Sequence, residues 1–162
     1  MKLRTQKGST TVEFAIVGSV LLLMIFAVLD IARAYYVYAM LDEVTRRAAR
    51  LAAVCPVNDP AIRPLALFNA AGDTSQSSLI AGLTPAQLVV DYLDTNNATV
   101  ADPTTPQGFL EIRYVRARVV GFNLQMVMPF LGPLSTITMP QFEYIMPRES
   151  LGIPRQGAIT PC

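Results

Sequence analysis

Residues 14–29, FAIVGSVLLLMIFAVL, carry no charge, and only Gly18 and Ser19 depart from strong apolar character. A hydrocarbon core of about 30 Å needs about 20 helical residues. Residues 12–31 meet that length with Glu13 and Asp30 near the two ends. The pattern then changes without a break in helical character: no Gly or Pro occurs between Ile31 and Pro56, and the intervening ARAYYVYAMLDEVTRRAARLAAV is rich in helix formers. Within it Val37, Leu41, Val44, Ala48, Leu51 and Cys55 recur at alternating spacings of four and three, an a/d seam on one face. Asp42–Arg46 and Glu43–Arg47 are acid-before-base pairs one turn apart, which suit a solvated face. The pattern predicts one helix over residues 12–54, roughly 65 Å long at 1.5 Å per residue. Its first half is apolar all round and its second half is one-sided. The seam can dock against the rest of the chain or against other subunits, where heptad spacing is expected.

Pro56, Pro60 and Pro64 end the helix, and Pro64 is placed to open a short helix over LALFNAA closed by Gly72. Residues 84–87, Thr-Pro-Ala-Gln, resemble a capping box, yet the following LVVDY is β-branched and aromatic. With Asn96-Asn97 as a turn signal, the expectation is a strand over residues 88–94. Residues 110–122 read as the clearest strand, alternating in one phase through Tyr114 and in the other from Val115, a slip that suggests a bulge or an edge position. Residues 136–146 read as another strand, which Pro140 confines to a sheet edge or breaks. The fold class expected is α+β: a long amino-terminal helix, with a small antiparallel sheet laid against its outer half. The domain plan is a basic leader over residues 1–8, a transmembrane part over 9–31, an extracytoplasmic continuation over 32–55 and a head over 56–162.

Composition sharpens this plan. Apolar residues make up 52% and charged residues 15% of the chain, and the apolar excess is concentrated in the one run, as a membrane segment requires. A net charge of +1 with interleaved signs gives no polyanion-binding signature, so nucleic acid is not an expected partner. There are no histidines, which takes away the commonest general base and metal ligand. No catalytic residue, metal or cofactor is expected. Cys55, at the end of the predicted helix, and Cys162 are the two cysteines. A bridge between them is expected and would close a loop of about 100 residues; the alternatives are two reduced thiols, or a terminal cysteine paired with another subunit.

The flanks orient the segment. Lys2, Arg4 and Lys7 precede it with no acid among them, which places the amino terminus in the cytoplasm and the head in the periplasm. A cleaved secretory signal ending at Ala32-Arg33-Ala34 is the plainer alternative, but the run is longer than the usual 7–15 residues or so and is entered through Glu13. Asp30 can reach Arg33 at i+3 as a pair at the membrane edge, and Tyr35, Tyr36 and Tyr38 fit an aromatic belt at the outer interface. Glu13 has no basic residue one turn ahead, although an acid inside hydrocarbon costs roughly 2.5–3.5 kcal/mol on insertion scales.

Gly8-Ser9-Thr10-Thr11-Val12-Glu13-Phe14-Ala15, followed by the apolar run and then by Asp30-Ile31-Ala32-Arg33-Ala34-Tyr35, resembles the TadE-like pseudopilins of tight-adherence (Tad, or Flp) pilus systems. Ala32 stands where many members carry Gly. The resemblance implies cleavage between Gly8 and Ser9 by a prepilin peptidase, with Glu13 as the fifth mature residue. It implies that Glu13 pairs with the new amino group of Ser9 or with that of a neighbouring subunit. It further implies an inner-membrane minor pilin or pseudopilin whose partners are that peptidase, other pilus subunits and the assembly machinery, and which can enter a pilus. A single-pass membrane-anchored periplasmic binding or sensor module is the competing expectation; it predicts an intact leader.

Overall fold

The computed structural model describes residues 9–127, 136–153 and 162. The basic leader, including Gly8, lies outside the described residues. One helix, α1, runs unbroken over Ser9–Val54 and accounts for the whole predicted helix with one further turn at its start. From Val37 onward its buried face is the predicted seam: Leu41, Val44 and Ala48 are fully buried, Val37 and Cys55 nearly so, and Leu51 packs at the rim. Ala49, Ala52 and Ala53 are fully buried as well, and these small side chains let the head approach the helix backbone closely. The buried Thr45 hydroxyl donates to the Asp42 carbonyl at 2.8 Å, so no polar group is stranded there. Arg46 meets Asp42 at 2.6 Å, whereas Arg47 lies over the ring of Phe68, 4.5 Å from its centroid.

Beyond α1 the chain forms a short helix α2 (Ile62–Ala66) and strand β1 (Leu88–Leu93). Helix α3 (Pro106–Glu111) and strands β2 (Tyr114–Val119), β3 (Asn123–Gln125), β4 (Thr136–Thr138) and β5 (Phe142–Pro147) complete it. β1, β2 and β5 make one antiparallel sheet with β2 in the middle, while β3 and β4 pair as a separate antiparallel ribbon. Val115, Ala117 and Val119 alternate inward along β2, toward the core shared with α1. On the opposite face Arg116 binds Asp91 of β1 directly across the ladder at 2.9 Å, an opposite-charge cross-strand pair that reinforces the register. The architecture is therefore α+β, with a small antiparallel sheet lying along the outer half of a long helix.

Two local expectations change, and one ambiguity resolves. The proposed strand over residues 110–122 is divided: residues 106–111 are helical, and only residues 114–119 form strand. Thr105 caps α3 by accepting from the Gly108 N–H at 3.1 Å, and Pro106 takes the first helical position, where a missing N–H costs nothing. The phase slip in the alternation thus marks a helix-to-strand boundary, with Ile112 buried at the joint, rather than a bulge. The helix attributed to Pro64 begins earlier, at Ile62, and ends before Leu67. Residues 84–87 and 88–94 satisfy both of their competing signals. The Gln87 side chain accepts from the Thr84 N–H at 2.8 Å around a single 3₁₀ turn, and the strand follows immediately.

The end of α1 is closed by a distant segment. Helix termini leave carbonyls without intrahelical partners. Here the N–H groups of Glu149 and Leu151 donate to the Ala53 carbonyl, and the Gly152 N–H and Ser150 hydroxyl donate to the Val54 carbonyl. Cys55 and Cys162 form a disulfide at this end of the helix, at a sequence separation of 107. The chain after β5 therefore acts as the cap of α1.

The loop that follows α1 meets the sheet through Tyr92, which is buried and accepts from the Asn58 N–H at 3.1 Å. Burial holds its phenol above the ordinary value of 10.0; the Asn58 bond pulls the other way, and the nearby Asp59 carboxylate adds to the rise. A phenol whose folded pKa is raised contributes stability that is complete below pH 10.0 and is lost as pH climbs through the folded value. Tyr92→Phe is expected to cost about 0.5–1.5 kcal/mol at neutral pH, from the lost hydrogen bond. The same variant should show a flatter decline of urea midpoint with pH on the alkaline side. An unchanged alkaline slope would show that Tyr92 does not govern that limb.

Candidate functional site

The feature that sets this chain apart is the surface of the first half of α1. Every large apolar side chain from residue 12 to residue 31 is between 44% and 79% exposed, Phe14 most of all. Such a helix, apolar on all sides and exposed along its length, is what a lipid-facing span looks like, since soluble monomers rarely show contiguous apolar surface on this scale. All its backbone hydrogen bonds are internal, as hydrocarbon demands. Its single hydroxyl within the charge-free run, Ser19, turns back to the carbonyls of Ala15 and Ile16 at 2.8 and 2.9 Å. Gly18 leaves open space where a Cβ would stand, so packing within this chain does not require it.

Ser9 and Glu13 both stand in the first turns of α1, four positions apart on one continuous helix. Residues at that spacing share a helix face. Glu13 lies on the exposed apolar half, among Val12, Phe14, Ile16 and Val17. The helix amino terminus favours a negative charge in this position.

At the opposite end of the apolar stretch, Asp30 is 3% exposed and accepts from the Val127 N–H at 2.9 Å. One turn later Arg33 donates to the Gln125 carbonyl at 2.7 Å. The two residues proposed as a membrane-edge pair thus both hold the backbone at the end of β3, Arg33 at its last residue and Asp30 two residues beyond. This was not legible from sequence, because Gln125 and Val127 are more than ninety residues away and contribute only main-chain groups. Tyr35 and Tyr36 project outward beside this clamp, while Tyr38 meets the ring of Phe142 edge-on with centroids 4.8 Å apart.

Among the described residues the head offers open clefts. One of about 450 Å³ lies between α2 and the loop at Asp73, and another of about 550 Å³ runs under β5 beside Arg46, Arg47 and Arg50. Asp73 and Asp102 are held below the usual carboxylate range by hydrogen bonds within their own turns, Asp73 from the Ser75 N–H and Asp102 from Thr104. Asp102 is exposed and Asp73 partly so, and both serve loop geometry. Among the described residues, no group of three or more His, Cys, Asp or Glu is placed to hold a metal ion.

Comparison with known proteins adds one finding. The family model described as TadE-like protein matches residues 8–50, about a quarter of the chain, from the glycine before α1 to Arg50 on its docked half. The match is consistent with a TadE-like protein of the Tad pilus system. No curated protein and no solved structure matches the chain.

Proposed function

We propose, taking a TadE-like amino-terminal segment joined to a disulfide-closed head as the premise, that this chain is a minor pilin or pseudopilin of an Flp-type adhesive pilus. The observation that carries the reading is the union of two features in one unbroken helix. Its first half presents apolar side chains in every direction and contains Glu13, and its second half is bonded to the head. A permanent anchor has no use for a carboxylate inside hydrocarbon, where an ion costs several kcal/mol. A subunit awaiting assembly has one.

In this reading the chain enters the inner membrane with its basic leader in the cytoplasm and its head in the periplasm. The orientation draws support from Lys2, Arg4 and Lys7 and from a disulfide, which persists in an oxidising compartment. Prepilin peptidase cuts between Gly8 and Ser9. The exposed Ser9 amine then carries a positive charge that Glu13, of the same chain or a neighbouring one, neutralises. Pairing a carboxylate with an ammonium in low dielectric offsets part of the desolvation that either ion alone would bear. The role is structural, and the partners are the peptidase, other pilus subunits and the assembly machinery.

Amino-terminal sequencing of the mature protein tests the reading: the first residue is expected to be Ser9. Gly8→Val, which puts a branched side chain beside the scissile bond, is expected to retain the leader. Glu13→Ala is expected to be cleaved normally yet to leave cells without pili. A mature protein starting at Met1, or full piliation with Glu13→Ala, would overturn the proposal in favour of a membrane-anchored periplasmic module.

A further inference from the structure

Where α1 leaves its apolar half, an open groove of about 310 Å³ runs between Ile31, Tyr35 and Tyr38 of the helix and, on the other side, Ile137 of β4 with Met126 and Met139, which directly follow β3 and β4. Beside it Val127 is 61% exposed and Tyr35 73%. This apolar base is continuous with the span, because Ile31 closes the exposed apolar stretch and also forms a wall of the groove.

The hydrogen bonds fix its height. Helical side chains tilt toward the amino terminus of their helix. The Asp30 carboxylate therefore sits at or below its own Cα on the side of the span, and Val127, bonded to it at 2.9 Å, is drawn to the same level. From Ile31 to Tyr38 the helix climbs about 10 Å at 1.5 Å per residue. A bilayer of about 40–45 Å with a hydrocarbon core of about 30 Å leaves a headgroup layer of about 5–8 Å on each side. With Ile31 at the hydrocarbon boundary, Met126 and Val127 lie at that boundary, and the two tyrosines cross the headgroup layer.

We infer that the base of the head is a second membrane contact: Met126, Val127 and Ile137 are seated in the outer leaflet, and phospholipid acyl chains fill the groove behind them. The head is then held to the bilayer beside the span rather than carried clear of the surface. The inference rests on reading residues 12–31 as membrane-spanning, and its test separates the two.

The chain contains no tryptophan, so single Trp probes report without background. Val127→Trp, Ile137→Trp, Leu23→Trp and Tyr144→Trp are placed in the full-length protein. Each is reconstituted at one chain per nanodisc in phospholipid with brominated acyl chains, which quench only probes they touch. Leu23→Trp reports the span itself; Tyr144→Trp, on the edge strand β5, reports the head away from the base. Val127 and Ile137 are 61% and 40% exposed, so a larger side chain is tolerated at both, and either probe suffices if the other variant fails to fold. The expected result is loss of most emission from Val127→Trp and Ile137→Trp, to an extent approaching Leu23→Trp, with Tyr144→Trp unquenched. Quenching of Leu23→Trp alone overturns the lipid seat while leaving the span intact. Shielding of the Val127 and Ile137 probes that arises only when several chains share a disc overturns it in favour of a second copy of the chain. Loss of quenching at Leu23→Trp as well overturns the membrane-spanning reading beneath it.

Discussion

Replacing both Cys55 and Cys162 with serine is expected to lower the stability of the head by about 3–5 kcal/mol, which shifts the melting midpoint by on the order of 15 °C. The size follows from the sequence separation of 107 between the two cysteines: without the bond, nearly the whole head gains the freedom of an open chain when it unfolds. The bond also holds the carboxyl terminus at the junction where the segment after β5 caps α1, so its loss frays the cap. Thermal denaturation of the two proteins in detergent, followed by circular dichroism, measures the difference. Midpoints that coincide would show that the disulfide does not constrain the unfolded chain.

Gly152→Ala is expected to cost about 2–5 kcal/mol, combining roughly 1–2 kcal/mol for a side chain in left-handed backbone with roughly 1–3 kcal/mol for overpacking. Gly152 has φ +79°, and a Cβ built there would stand 2.6 Å from the Pro56 ring and 2.7 Å from its backbone. Neither neighbour can retreat. Pro56 follows the disulfide-bonded Cys55, and Gly152 itself donates to the Val54 carbonyl at 2.6 Å. Gly72 supplies the control, having φ +82° but nothing within 4 Å of the place a Cβ would take. Gly72→Ala should show the backbone cost alone, about 1–2 kcal/mol. Equal urea midpoints for the two variants would show that the Pro56 contact is relieved without cost. Combined with the serine pair, Gly152→Ala should fall short of additivity, because both changes loosen the same junction.

What sequence could and could not disclose follows from the range of each interaction. The long helix was legible because its determinants are local: an uncharged run, a stretch without Gly or Pro, and an a/d seam whose members Leu41, Val44 and Ala48 are fully buried. Strand β1 was legible because Leu88–Leu93 and the Thr84–Gln87 box each state their preference within a few residues. Helix α3 was missed although Thr105-Pro106 is a capping signal, because the alternation of residues 110–114 imitates a strand. The cap on α1 and the backbone clamp at Gln125 and Val127 carry no sequence signature at all. The cap is made mostly by main-chain N–H groups, and Asp30 and Arg33 grip main-chain groups of Val127 and Gln125; every residue has such groups, and only the tertiary fold brings them together. Of the candidate site, the composition of the span and the place of Glu13 within it were readable. The seating of the head beside the span was not.

The absence of any break in α1 between its apolar half and its docked half has a consequence for orientation. Span and head share one rigid axle, with the head bonded along it from Val37 to Ala53 and gripped again at Asp30 and Arg33. Each helical residue advances the azimuth by about 100°. Whatever face of the apolar half is turned toward a neighbouring helix therefore dictates which side of the head points outward. One residue inserted into the axle below Asp30 would swing the head through more than a quarter turn relative to Glu13, while raising it by only about 1.5 Å.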